Sequence, residues 1–169
     1  MKTLLKFAGI ISLLLAVVAI ILVLTSNAMS VDTGLGTTYV TGTTALFGKK
    51  TETILGTATV KGSALALIGF ILIVVAILLL ICGIVLPLVN GKKGNKVAGL
   101  LNLVAVFLLV IGGVFVFCVV PTYLKANDAT DLAKYYKITA GWVIAGILAL
   151  VAGCFALLPT AADFLGKKK

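Results

Sequence analysis

Residues 63–120 read SALALIGFILIVVAILLLICGIVLPLVNGKKGNKVAGLLNLVAVFLLVIGGVFVFCVV, and this stretch decides the fold. It holds two uncharged runs, 62–91 and 97–124, of 30 and 28 residues. A helix rising about 1.5 Å per residue needs about 20 apolar residues to cross a hydrocarbon core of about 30 Å. Each run is long enough to cross once. The GKKGNK segment between them is too short for anything but a reversal, so the two spans must be antiparallel neighbours. Working outward, two further uncharged runs appear at 7–31 and 138–162, each of 25 residues. The expected fold class is all-α membrane, a bundle of four transmembrane helices with a small extracellular β-hairpin in the first outside loop.

The expected organisation is a single four-span domain over 1–169. Spans are placed at about 4–25, 63–88, 97–120 and 138–158, outside loops at 26–62 and 121–137, and an inside turn at 89–96. Pro87, Pro121 and Pro159 each fall at the far end of a span. Proline lacks the N–H that continues a helix, so all three are expected to act as stops. The start, with Lys2 and Lys6 before an apolar run, has features of a signal peptide. The run from Phe7 to Leu24 exceeds a typical signal core, so an uncleaved first span is expected.

Composition agrees with the spans. The chain is 62% hydrophobic and 11% charged, against about 25% charged in an ordinary soluble domain. A soluble enzyme, a disulfide scaffold and a disordered tail are excluded. The net charge of +9 comes from lysines without any Arg, spread over loops and termini. No basic stripe forms, so the lipid bilayer and its anionic headgroups, not nucleic acid, are the expected partners of this charge. Eight lysines (2, 6, 92, 93, 96 and 167–169) crowd the short segments on one side, and six lie on the other. Positively charged short loops stay inside. A multi-pass protein of the cell (plasma) membrane with both termini cytoplasmic is expected.

Between Ser26 and Gly62 the chain is rich in Thr and Gly. Thr is β-branched and favours strands. Two strands are expected, Gly36 to Phe47 and Glu52 to Val60, joined through Gly48-Lys49-Lys50. In the second outside loop Asn127 or Asp128 offers a helix cap, predicting that the last helix begins near Ala129 and runs straight into the membrane. Tyr135, Tyr136 and Trp142 would then sit at the membrane interface as an aromatic belt.

Small residues recur along the spans. Gly62, Gly69, Ala76 and Gly83 are spaced by seven, as are Ala98, Ala105 and Gly112. Small residues let helix backbones approach in lipid, and a seven-residue repeat implies a left-handed crossing near about +20°. The two seams are expected to face each other. In the last span Gly141, Ala145, Ala149 and Gly153 are spaced by four, and in the first Ala8, Ser12 and Ala16. These stripes should join spans one and four, or face a second copy.

Chemistry is sparse. No Asp, Glu, Lys, Arg or His lies inside a span, which argues against proton relays, voltage sensing and intramembrane proteolysis. Cys82, Cys118 and Cys154 stand apart inside spans, so neither a disulfide nor a metal site is expected. No catalytic, cofactor-binding or metal residue is assigned, and no cofactor is expected. Asn102, the main polar group at depth, is expected to make an interhelical hydrogen bond.

A strand-forming first outside loop, a tight inner turn and a shorter second outside loop give a layout that resembles the claudin-like tetraspan architecture. It resembles even more the small four-span proteins of low-GC bacteria. The resemblance is one of layout and carries over no residue. The lack of chemistry and the small-residue seams point to a protein–protein interaction role. The expected function is a non-enzymatic membrane scaffold or accessory subunit, acting through the Thr-rich loop and small-residue helix faces. The alternative is a component of an oligomeric channel or transporter. Either implies a protein partner or a homo-oligomer.

Overall fold

In the computed structural model, which describes residues 2–53 and 56–165, the chain runs α1 (Lys2–Thr25), β1 (Asn27–Asp32), β2 (Thr37–Thr41), α2 (Gly42–Phe47), β3 (Lys49–Thr53) and β4 (Gly56–Val60). It continues through α3 (Ala64–Phe117), α4 (Val119–Ala126), a 3-10 turn over Thr130–Tyr135, β5 (Tyr136–Ile138) and α5 (Ala140–Leu165). Among the described residues four helical stretches are long and apolar enough to cross a membrane: Phe7–Thr25, Ala64–Val89, Val97–Phe117 and Ala140–Pro159. Large apolar side chains stand exposed around the bundle, including Phe7, Leu14, Ile71, Leu78, Phe107 and Ile144. A belt of this extent is unstable in water and suits a multi-pass membrane protein.

Helical geometry is continuous over the 54 residues of α3. A straight helix of that length would extend about 80 Å. Yet Gly69 lies against Gly112 and Phe115, and Gly83 against Asn102. The helix therefore doubles back between Gly83 and Asn102 into two antiparallel limbs. Its start is capped by Ser63, whose hydroxyl accepts the Ala66 N–H.

Proline does not stop these helices as expected. Pro87 lies inside α3 and Pro159 inside α5. Each removes one backbone hydrogen bond, a loss that a membrane helix tolerates when neighbours support it. The break falls at Cys118 instead, three residues before Pro121. There the helix re-forms as α4, with Pro121 in the first turn, where a missing N–H leaves nothing unsatisfied.

Helix α5 is the centre of the bundle, packing against α1 on one side and the second limb of α3 on the other. It runs antiparallel to α1, with Ser12 bonded to Ala152 and Trp142 to Val23. The segments joining the spans form a cap at one end. Its main sheet has order β2-β1-β5, all antiparallel. Its second sheet is the β3–β4 hairpin. The segment between the first two spans thus differs from the single hairpin expected. Thr41 caps a short helix, α2, where the sequence was read as continuous strand, because its hydroxyl accepts the Thr44 N–H. Gly48, at φ 76°, ends that helix and starts β3. The last span does not begin near Ala129 either. A 3-10 turn and β5 intervene, because β5 pairs with β1 through Met29↔Ile138.

Candidate functional site

The helix interfaces are built from small residues, and their placement can be followed seam by seam. Gly69 and Gly112 meet face to face. A Cβ on either would lie 2.9 Å from the other's carbonyl oxygen. Ala76, Ala98 and Ala105 are buried, and Gly83 backs onto the Asn102 amide. Gly62 does not join this seam. It precedes the cap residue of α3, and its missing Cβ would strike the Leu46 carbonyl oxygen at 2.3 Å. It therefore serves the join between α2 and α3.

In α5, Ala145 and Ala149 are buried, Gly141 abuts Ser26, and Gly153 abuts Leu109 and Val110. Ala8, Ser12 and Ala16 of α1 are buried. Ser12 donates to the Ala152 carbonyl oxygen at 2.7 Å. Ser12 of the α1 stripe thus meets α5 at Ala152, whereas Ala149 and Gly153 of the α5 stripe lie against Gly113, Leu109 and Val110 of α3. Asn102 corrects the expectation made for it: its Oδ1 is buried without a hydrogen bond among the described residues. The residue facing it, Gly83, has no side chain to donate.

Among the described residues, chemistry of any density is found only in the cap, which is stitched to the bundle at several points. At the first, Trp142 is fully buried and its Nε1–H donates to the Val23 carbonyl oxygen at 3.2 Å, closing the last turn of α1. It packs in one core with Met29, Ala45, Leu46 and Val119. Trp142 was expected at the lipid interface. It is drawn inward because Gly42 leaves room beside it: a Cβ on Gly42 would strike the Val23 carbonyl oxygen and lie 3.1 Å from Trp142 Nε1. Tyr135 is exposed, with the Lys134 ammonium 4.9 Å from its ring centre, and Tyr136 is half-buried in β5.

The second point is a chain of hydroxyls. Thr122 Oγ1–H donates to the Cys118 carbonyl oxygen at 2.6 Å, so it accepts from Ser63 Oγ–H. Ser63 in turn accepts from Ala66 N–H. This links the start of α3 to the start of α4 with every donor used.

The third point is Asn127. Its Oδ1 accepts the Lys61 N–H and its Nδ2 donates to the Lys61 carbonyl oxygen, both at 2.8 Å. The side-chain amide thereby acts as a strand residue and clasps the exit of β4. Nδ2 also donates to the Tyr123 carbonyl oxygen at 2.9 Å. Asn127 was read as a helix start, but it ends α4. Asp128 follows at φ 52°, in the left-handed region that Asx residues tolerate, and Ala129 N–H returns to the Leu124 carbonyl oxygen.

Burial of Tyr123, with a smaller contribution from Tyr136, pushes its phenol above the usual tyrosine value. Cys82 and Cys154 are exposed on the helix surface and Cys118 is half-buried, all as free thiols. Among the described residues no group of three His, Cys, Asp or Glu converges as a metal site.

The cap presents Thr37, Thr38, Thr41, Thr43, Thr51, Thr57 and Thr59 to solvent, together with Lys49, Lys50 and Lys61. Sequence reading found this Thr-rich surface but not the residues that hold it. Asn127 and Ser63 act on partners roughly 60 residues away, and only the two-residue run Asn127-Asp128 after a helical stretch hinted at a helix end. No protein-family model matches the chain, and no curated protein matches it.

Proposed function

We propose that this chain is a non-enzymatic integral membrane scaffold or accessory subunit that acts through its cap. In this reading it lies in the cell membrane with the cap outside and both termini cytoplasmic. The observation that carries the reading is the division of labour between bundle and cap. The bundle interior is filled mainly by Ala, Gly and aliphatic side chains and buries no acidic or basic side chain among the described residues. Proton transfer, ion conduction and acid–base catalysis need such groups. The cap, by contrast, is held to the helices by the packing of Trp142 with Met29, Ala45 and Leu46, by Asn127 and by the Ser63–Thr122 pair, and it displays open strand edges among the described residues. A rigid platform with free edges suits binding by strand addition.

The test is extraction from native membranes in mild detergent after photo-cross-linking from Thr43 and Thr59, both exposed cap positions. Cross-linked adducts of defined mass at these positions, in a complex larger than one chain, are expected. A lone monomer with no adduct at either position would refute the scaffold reading.

A further inference from the structure

The β3 strand reads KKTET, and it is paired on one side only. Its partner is β4, in the register Lys50↔Thr59, Thr51↔Ala58 and Glu52↔Thr57. No described strand occupies its other edge, and neither strand packs substantially on another element. Lys50, Thr51 and Glu52 are all exposed. A two-stranded hairpin standing alone is marginal in water, and an open edge is a template for another strand. Asn127 clasps the chain at Lys61 where β4 ends, and no such clasp is found on the outer edge of β3 among the described residues.

The charges on this edge select its occupant. A two-fold axis normal to a sheet brings a strand antiparallel to its own copy and keeps each side chain on its own face. Only residues of the same parity then stand opposite each other. Centred on Thr51, the pairing sets Lys50 against Glu52 twice and Thr51 against Thr51. Moved one step either way, it sets Lys50 against Lys50 or Glu52 against Glu52, which repel. The other sheet edges among the described residues, β2 (TTYVT), β4 (GTATV) and β5 (YKI), carry no pair of opposite charges with which to fix a register.

We propose that β3 pairs edge to edge with β3 of a second copy, antiparallel and centred on Thr51. The pairing joins two hairpins into a four-stranded sheet with a closed two-fold interface. It rests on the reading of the cap as an interaction platform and names the partner as the chain itself. Confinement of both copies to a membrane raises their effective concentration, so a five-residue edge suffices.

The test uses the full chain in its native membrane, with Cys82, Cys118 and Cys154 replaced by Ala and Thr51→Cys added. Mild oxidation is expected to give a reductant-sensitive dimer, much stronger than from Thr59→Cys on β4. Lys50→Glu or Glu52→Lys each turns two attractive pairs into two repulsive ones and should lower the dimer about tenfold. The double variant keeps the composition, exchanges the charges and should restore the dimer. Differently tagged single variants, mixed, should cross-link to each other.

A double variant no better than the singles overturns the proposal, as does a Thr51→Cys chain that stays monomeric. If that chain instead cross-links to another protein through the cap, self-pairing fails and the scaffold reading stands. If it cross-links to nothing, both fail.

Discussion

Adding one methyl group at Gly112 should force the two limbs of α3 apart. A Cβ there would stand 2.8 Å from Ile73 Cγ1 and 2.9 Å from the Gly69 carbonyl oxygen, where ordinary contact begins at 3.4 Å. The Ile73 side chain can rotate, but the Gly69 carbonyl is held in its helix. The limbs must therefore retreat by about half an ångström, a gap that forfeits a quarter or more of each contact along the seam. Overpacking of this kind costs about 1–3 kcal/mol. For a chain of this length that is a fall in melting midpoint of about 3–10 °C.

Gly69→Ala meets the reciprocal obstacle, the Gly112 carbonyl oxygen at 2.9 Å, and should cost a similar amount. Because both substitutions demand the same separation, the double variant should cost less than the sum. Val114→Leu, on the exposed side of the same limb, is the control and should be neutral. The assay is thermal unfolding in detergent, since Ala and Leu enter lipid at least as readily as Gly and insertion survives. Melting of both Gly variants together with the wild type would refute the close approach.

Three further outcomes are expected. Asn127→Ala removes both bonds to Lys61, so the Lys61 amide should exchange hydrogen at least about tenfold faster, in keeping with the roughly 1–3 kcal/mol cost of orphaned polar groups; an unchanged rate would mean that the clasp is not formed. Ser12→Ala deletes the bond to Ala152 while leaving an apolar surface, and should lower stability by only about 0.6 kcal/mol, measured by the same unfolding assay. Tyr123 is held protonated above the ordinary tyrosine value. The folded state therefore keeps a proton that the unfolded chain releases, and stability should decline as pH rises past about 10. Tyr123→Phe should flatten that decline, as followed by unfolding across pH 8–11.

The spans were legible because lipid imposes a length, and residues 62–91 and 97–124 satisfy it in plain view. The small-residue repeats were legible for a related reason: helix contact in lipid depends on backbone approach, and a residue such as Gly69 or Ala145 shows its size in its name. The cap was not legible at the same level. Thr favours strands statistically, but the hydroxyl of Thr41 can also cap a helix, and it does so at α2. The pairing of Met29 with Ile138 joins positions 109 apart, and no local pattern encodes it. Trp142 carried the signature of an interfacial residue. Its burial depends on Gly42, also a distant partner, leaving room at the end of α1. Local periodicity therefore gave the helices, while the parts that position the candidate site rest on contacts distant in sequence.

The central claim is that one chain crosses the membrane four times with its cap on the outside and its GKKGNK reversal within. Thiol accessibility tests this most directly. In a background with Cys82, Cys118 and Cys154 replaced by Ala, Thr43→Cys on the exposed face of α2 and Lys93→Cys in the reversal are treated with a membrane-impermeant maleimide. In intact cells position 43 should label and position 93 should label only after permeabilisation. Labelling of both in intact cells, or of 93 with 43 protected, would contradict the account.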